Sequence, residues 1–512
     1  MVFDVGRGFI AAVERDPGAL AVVDGDRRQT YAEWFGSIRR AVGGLDAMGL
    51  RAGDHLLVAL QNNWEMATLH WACQLAGVIV TPVNWRLTAD DMNFFIDNAE
   101  AKGVVFQDAS AEATTGAPLA QDLPRVAVGG AAGASAVFED LLAAEPAEGQ
   151  PRTGVEDYSV MLYTSGTTGR PKGVPRRHRA ERAAAVAHIA QNHYSLGDCT
   201  LGAMPLYHVM GVRSLLAMAG VNGCFVCLPR FDVARALELI EAERITSVFL
   251  VPTLFHNMLA HDAFAETDIS SVRNIGFAGA SMTDGLLYRV AKAFEPDLFV
   301  NHYGSSEIYT FTITQDAAAK PGSAGKAGLN QEIRVVKIGS EDADQRCAPD
   351  EEGEIAARLD GDESFEGYWR RPDADAKALH GGWYFTGDIG YFDAEGDLFV
   401  TGRVDDMIIT GGENVQPVEI ESVLSLHPAV AEVAVAGLAD ERWGQRITAF
   451  IKRTEGGGGE EPDGDALDAY CRGSTLANFK RPREYVFVKE IPKSPVGKIL
   501  RRQLVAGEYE TE

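Results

Sequence analysis

Cysteine is scarce in this chain, with six in 512 residues, at positions 73, 199, 224, 227, 347 and 471. Only Cys224 and Cys227 are closely spaced, within Gly-Cys-Phe-Val-Cys-Leu-Pro at 223–229. A zinc site would need a second such pair, so these two are expected as small apolar residues on a buried strand. Positive charge is also in short supply: 47 Lys and Arg stand against 73 Asp and Glu, a net charge of −26. So acidic a chain repels nucleic acid and anionic membrane, which excludes both as general partners. Any anionic ligand must then be met by local basic groups. No run approaches 18 apolar residues, and the start, Met-Val-Phe-Asp-Val-Gly-Arg, lacks a basic segment followed by an apolar core. A cytoplasmic location is the expectation, with the oligomeric state left open. No internal repeat is visible.

What is present is an ordinary globular composition, 46% apolar, in a chain long enough for two or three domains. Amphipathic helical patterns alternate with short apolar strands. The spacing predicts helices over 31–48 and 66–76, the second ending at Gly77, and strands over 55–60 and 78–83. Further on it predicts strands over 225–228, 247–251, 273–278 and 298–303, and a helix over 233–243. This alternation implies α/β architecture with doubly wound parallel sheets. Residues 108–155 are rich in Ala, Gly and Glu with weak periodicity, and read as a loose surface connection. From about 333 to 400, short strands with Gly and Asp turns suggest a small β-rich subdomain. A compact unit of about one hundred residues follows Arg403, with a flexible acidic loop over 455–465. The expected division is a large domain over 1–402, a hinge at 403–405 and a mobile α+β domain over 406–512.

The most informative stretch is Tyr163-Thr-Ser-Gly-Thr-Thr-Gly-Arg-Pro-Lys-Gly173, which leaves an apolar run. Gly166, Gly169 and Gly173 permit tight turning and close approach to a ligand. Thr164, Ser165, Thr167 and Thr168 add hydroxyls and Lys172 a cation, the chemistry needed to wrap a polyphosphate. It is not a Walker A loop, which places Ser or Thr after the lysine.

This loop resembles the signature of the adenylate-forming superfamily of acyl- and aryl-CoA ligases, luciferases and peptide-synthetase adenylation domains. Further motifs follow in that family's order over almost the whole chain. Asn301-His-Tyr-Gly-Ser-Ser-Glu307 resembles a segment in which Asn301 and Tyr303 meet adenine, Gly304, Ser305 and Ser306 line the nucleotide, and Glu307 ligates magnesium. Trp383-Tyr-Phe-Thr-Gly-Asp388 is similar to the motif whose aspartate grips the ribose. By resemblance Arg403 also contacts ribose or phosphate, Asp405 is the hinge, and Gly411 and Gly412 line the pantetheine tunnel. In Pro492-Lys-Ser-Pro-Val-Gly-Lys498, Lys498 is the lysine expected to act in adenylation. Arg86, Trp443, Phe479, Arg481 and Arg483 form a basic and aromatic set suited to the phosphates and adenine of coenzyme A.

The resemblance implies ATP, Mg2+ and coenzyme A, with a small-molecule carboxylic acid as substrate. An acyl-AMP forms first, and thiol attack then gives the thioester. Met204-Pro-Leu-Tyr-His-Val-Met-Gly211, Phe277-Ala-Gly-Ala-Ser-Met282 and the segment from Arg403 to Asn414 look similar to 4-chlorobenzoate-CoA ligase and related aryl-CoA ligases. Carried over, Gly279, Ala280 and Ser281 contact the nucleotide, and His208 acts at the reacting centre. The acyl pocket involves Ala187, His208, Val209, Met210, Leu250, Gly279, His302, Tyr309 and Thr310. His302 and Tyr309 depart from that pattern by replacing apolar positions, so an aromatic or heteroaromatic acid with a polar atom fits better than a halogenated one. The alternatives are a fatty acyl substrate, or a small dicarboxylic acid whose second carboxylate Arg213 would neutralise. Carrier loading, luciferase-like oxidation and nucleotide binding without ligation are weaker readings.

Overall fold

The computed structural model describes residues 3–164, 171–404, 406–454, 463–474, 476–494 and 499–512. The element expectations carry over closely where periodicity was strong. The helix Tyr31–Ala47 starts at a capping box in which Thr30 and Glu33 satisfy each other's backbone donors. The helix Trp64–Ala76 is capped by the Asn63 side chain and stops at Gly77. Gly77 has φ +74, and a Cβ there would lie 2.6 Å from Thr153 Cγ2. This second helix is buried on every side, consistent with its nearly continuous apolar sequence.

It is buried because it lies between two sheets. The first has seven strands in the order Ala136–Val137, Arg125–Val128, Gly103–Gln107, His55–Ala59, Ile79–Pro82, Tyr158–Thr164, Lys172–Arg177. Its pairs are parallel except the last, which is an antiparallel hairpin. The second runs parallel through Leu298–Tyr303, Asn274–Phe277, Ser247–Leu250, Cys199–Gly202, Cys224–Cys227 and Leu20–Asp24. One continuous apolar core joins residues of both sheets, among them Val58, Val80, Val22 and Phe225, to residues of the helices between them, such as Trp34, Trp71 and Leu215. Cys224 and Cys227 are buried on their strand, as two small apolar residues should be.

One expectation needs correction. Residues 108–155 are not a loose connection: they form the helices Asp108–Gly116, Pro118–Gln121 and Phe138–Leu142 and the two outer strands of the first sheet. Phe138 and Leu141 sit in the core, and the Ala-rich composition hides elements too short to show a period. The β-rich stretch, in turn, is continuous with the second sheet. Thr312–Thr314 and Ser323–Ala327 lead antiparallel from Leu298–Tyr303 to Leu398–Arg403, Trp383–Phe392, Gly353–Arg358 and Ile333–Val336.

The C-terminal unit has its own core, including Ile420, Val433, Ile447 and Leu467. In a long hairpin, Val430–Asp440 with Gly444–Arg453, the second strand also pairs antiparallel with Ile408–Thr410 at its start and in parallel with Glu484–Phe487 further along. Its helix Pro417–Ser425 rests on the helix Asp284–Phe294 of the large domain; a Cβ on Gly285 would lie 2.4 Å from the Ser425 carbonyl oxygen. Among the described residues, no helix is long and apolar enough to cross a membrane.

Candidate active site

The hairpin of the first sheet holds both flanks of the glycine- and threonine-rich loop. Thr164 pairs with Lys172, and Tyr163 with Gly173. Ser165, Gly166, Thr167, Thr168 and Gly169 lie outside the described residues. Among the described residues, Thr164 Oγ1 is buried without a partner. Lys172 Nζ sits 4.0 Å from the centroid of the Tyr368 ring. Burial lowers the Lys172 pKa, and the charge of Glu307 opposes that shift. The Tyr368 hydroxyl donates to Glu307 Oε1 at 2.6 Å and lies 3.4 Å from the Tyr384 hydroxyl. Burial first, and the Glu307 charge second, push the Tyr368 pKa upward, so the phenol keeps its proton. Lys172 and Glu307, distant in sequence, are thus held around one ring.

Tyr368 was not singled out in the sequence. The available signal was Gly367-Tyr-Trp369, in which Gly367 has φ +145 and lies 3.0–3.3 Å, by its would-be Cβ, from the Asp375 carboxylate. Such a backbone needs glycine, and it aims the next side chain inward.

A second group forms where the β-rich strands cross. Asp388 and Arg403 are cross-strand partners, with Arg403 Nε 3.4 Å from Asp388 Oδ1. The Tyr303 hydroxyl donates to Asp388 Oδ2 at 2.6 Å. Tyr303, Asp388 and Arg403 are therefore one cluster, bringing together three residues expected to hold base, ribose and phosphate. Asn301 points to the same face and donates to the Ser323 carbonyl at 2.9 Å. Gly304 lies where a Cβ would be 2.1 Å from the Tyr309 carbonyl oxygen, so only glycine permits this turn. Ser305 Oγ accepts from the backbone of Glu307 at 3.2 Å and fixes the loop; Ser306 lies within it, half-buried.

Strand alternation places His302 on the opposite face. It is fully enclosed, against the rings of His188 and Phe249, each 5.2 Å away between centroids. Leu250 follows Phe249 at a strand end, Ala187 precedes His188 on a helix, and both are buried. His208 caps the helix Val209–Gly220, accepting from Met210 N at 3.4 Å, and Val209 and Met210 are buried in its first turn. Gly279, with φ +83, brings Val251 and Met210 within 3.3 and 3.7 Å of a Cβ placed there. Ala280 and Ser281 follow on the same loop, Ser281 exposed.

Tyr309 requires correction. Its hydroxyl donates to Glu181 Oε2 at 3.1 Å, and the Arg176 guanidinium lies 3.9 Å from its ring centroid. The phenol is spent on a buried ion pair, Arg176 with Glu181 at 2.8 Å, both side chains fully enclosed. It is not available to an acyl ring. Thr310 and the Tyr309 carbonyl instead accept from Arg213 Nη1 at 3.0 and 3.2 Å. Arg213, Asn192, His188 and Glu363 complete a buried polar network here, and charged residues of this kind read as surface in sequence.

The basic set divides. Arg86 lies over the Trp85 ring, 3.7 Å from its centroid, beside a cavity of about 80 Å3 that Met204, Pro205, Arg230 and Phe231 also line. Gly411 packs on Trp443 in the C-terminal unit and donates to its carbonyl at 2.8 Å, while Gly412 has φ +86 and no neighbour where a Cβ would be. Trp443 and Phe479 are exposed, and Arg483 Nη2 donates to the Asn478 carbonyl at 3.0 Å. Arg481 is a correction: it is buried and ion-paired with Asp468, with Nε donating to Asn478 Oδ1, so its charge is already balanced within the domain. Asp405 and Lys498 lie outside the described residues. Near the latter, Lys493 pairs with Glu432, which also faces His256 of the large domain at 3.8 Å.

The chain matches the family described as AMP-binding enzyme over residues 9–369, and the AMP-binding enzyme C-terminal domain over 419–498. It is 34% identical over 502 residues to a 4-chlorobenzoate–CoA ligase from Arthrobacter sp, covering 96% of this chain and 93% of that one. It is equally 34% identical over 485 residues to a long-chain fatty acid–CoA ligase from Mycobacterium tuberculosis, covering 94% and 93%. The solved structure of ATP-bound MatB from Rhodopseudomonas palustris superposes with a TM-score of 0.86 at 27% identity, over 99% of both chains.

Proposed function

This chain belongs to the AMP-binding enzymes and is an adenylate-forming ligase, and from that premise we propose that it joins an aromatic or heteroaromatic carboxylic acid to coenzyme A. The reading rests chiefly on one observation: the strand Leu298–Tyr303 separates two polar faces at its end. Asn301 and Tyr303 share one face with Asp388 and Arg403, while His302 lies on the other. A nucleotide on the first face and an acid approaching from the second would meet where the strand ends.

In the first half-reaction a carboxylate oxygen attacks the α-phosphorus of ATP, the α–β anhydride bond breaks, and pyrophosphate leaves. In the second, the coenzyme A sulfur, having lost its proton, attacks the acyl carbon, and the phosphate oxygen of AMP leaves. Neither step needs a covalent enzyme intermediate, so catalysis consists of positioning and charge stabilisation. Asp388 accepts from the ribose hydroxyls once Tyr303 yields to them, a carboxylate being suited to a vicinal diol. Lys172 and the hydroxyls flanking it offset charge on the departing pyrophosphate. The carboxylate of Glu307 and the unpartnered Thr164 hydroxyl suit magnesium, a hard cation that would screen phosphate charge. Lys498 bridges carboxylate and α-phosphate in the first step. It must leave for the second, so the C-terminal unit over 406–512 turns about a hinge at 403–405. Arg86, Arg483, Trp443 and Phe479 then meet coenzyme A.

The test is AMP release with ATP, magnesium and coenzyme A across aryl, heteroaryl, straight-chain and dicarboxylic acids. A ring acid should have the highest kcat/KM. A chain acid exceeding every ring acid would replace the aryl reading with a fatty acyl one.

A further inference from the structure

The buried polar network around His302 narrows the acid further, on the reading that His302 borders the acyl group. Its hydrogen-bond polarity can be worked out from one end. Asn192 Nδ2 lies 2.8 Å from the His188 carbonyl oxygen, which can only accept, so this atom is the amide nitrogen. It also lies 2.8 Å from His188 Nδ1, which therefore accepts. Asn192 Oδ1 then faces His302 Nε2 at 3.2 Å, and Nε2 must carry the hydrogen. Burial, with the charge of Arg213, holds the His302 pKa well below its ordinary value, so the ring is neutral. Its other nitrogen, Nδ1, is consequently a bare acceptor. It is buried and has no partner among the described residues.

A second, complementary orphan packs against the same phenylalanine ring. Arg213 Nε is buried and unpartnered among the described residues, and a guanidinium can only donate. The Arg213 guanidinium carbon lies 4.9 Å from the centroid of the Phe249 ring, the ring that His302 meets from 5.2 Å. The negative charges acting on Arg213 come from Glu363 and Glu181 within the same network. What Arg213 lacks is thus a hydrogen-bond acceptor at Nε, rather than a second carboxylate.

We propose that Arg213 and His302 together determine specificity by receiving a hydroxyl group carried on the acid. The hydroxyl oxygen accepts from Arg213 Nε–H and its hydrogen is donated to His302 Nδ1. A second carboxylate or a carbonyl satisfies Arg213 but sets lone pair against lone pair at His302. A halogen or a methyl group satisfies neither. Sites that bond a substrate hydroxyl reject the analogue lacking it, because their own polar groups are left buried and unpaired.

The experiment measures kcat/KM for AMP release by the full-length protein with benzoate, its three hydroxybenzoates, 4-chlorobenzoate and the benzene dicarboxylates. One hydroxybenzoate should exceed benzoate by roughly 10²-fold or more, and exceed the chloro and dicarboxylate analogues likewise. In Arg213→Met and in His302→Leu that ratio should fall by about tenfold or more, with the KM for ATP unchanged. If either variant fails to fold, the wild-type series and the other variant decide. Equal kcat/KM for hydroxylated and plain acids overturns the proposal, as does a dicarboxylate at the top of the series or an unchanged ratio in both folded variants. A water bridging the two atoms, with no selectivity for hydroxyl, overturns it too. If only chain acids are activated, the aryl reading is what fails, and hydroxy chain acids against their plain counterparts then test Arg213 and His302 in the same way.

Discussion

Replacing Tyr368 by phenylalanine removes a single oxygen from the middle of the cluster formed with Lys172 and Glu307. The ring stays, so Lys172 keeps the aromatic face on which it rests, 4.0 Å from the centroid. The hydrogen bond to Glu307, 2.6 Å long, disappears, along with the longer contact of 3.4 Å to the Tyr384 hydroxyl. Glu307 is 5% exposed, so water cannot simply take the donor's place. A hydrogen bond to a charged group in such surroundings contributes about 1.5–3 kcal/mol. If the bond aims the carboxylate at its ligand, that energy appears in the transition state, and acid-dependent ATP–pyrophosphate exchange should fall roughly 10- to 150-fold. The magnesium concentration giving half-maximal rate should rise as well, because a less constrained carboxylate is the poorer ligand. The assay is isotope exchange between pyrophosphate and ATP over a magnesium series, beside a melting curve. Unchanged exchange kinetics with a lowered melting temperature would leave the hydroxyl a purely structural role.

Other perturbations separate site from scaffold. Glu181→Ala strands Arg176, fully enclosed, without its carboxylate, and should cost about 3–5 kcal/mol in denaturant unfolding; a loss below about 1 kcal/mol would mean that water reaches the pair. Arg86→Glu should raise the KM for coenzyme A and leave pyrophosphate exchange alone. Arg481→Glu should instead lower the melting temperature of the C-terminal unit, because Asp468 then faces a like charge; the opposite pattern would exchange their roles. Burial lowers the pKa of His55 to about 4, His70 to about 3 and His178 to about 4, from an ordinary 6.5. The unfolded chain therefore binds more protons below pH 6.5, and stability present above that pH should be lost as pH falls from 6.5 through about 4. Melting temperature measured across that range should decline steadily; a flat profile would contradict the burial.

The legible parts of the sequence were those where one local signal sufficed. The strand Leu298–Tyr303 shows as an apolar run that ends in polar residues, and the helix Tyr31–Ala47 as a period beginning at Thr30 and Glu33. Joining of the β-rich strands to the second sheet depends on pairings such as Ser323 with Phe399, which no local pattern encodes. The strand Arg125–Val128 was missed because four residues among alanines carry no measurable period. At the site, glycines and motif residues were visible because their chemistry is unusual. Arg176, Glu181, Arg213 and Arg481 were hard to place because a charged residue in sequence reads as exposed, and only the fold shows which are enclosed. Tyr309 illustrates the same limit, its hydroxyl being claimed by Glu181, 128 positions away.

In the proposed cycle one site performs two half-reactions, with Lys498 needed for only the first. The direct measurement takes Lys498→Ala and wild type through both steps separately. Acid-dependent pyrophosphate release should fall by orders of magnitude in the variant, while acyl-AMP supplied directly should still be converted to acyl-CoA at close to the wild-type rate. Equal loss of both half-reactions, or no loss of the first, would contradict the proposed cycle.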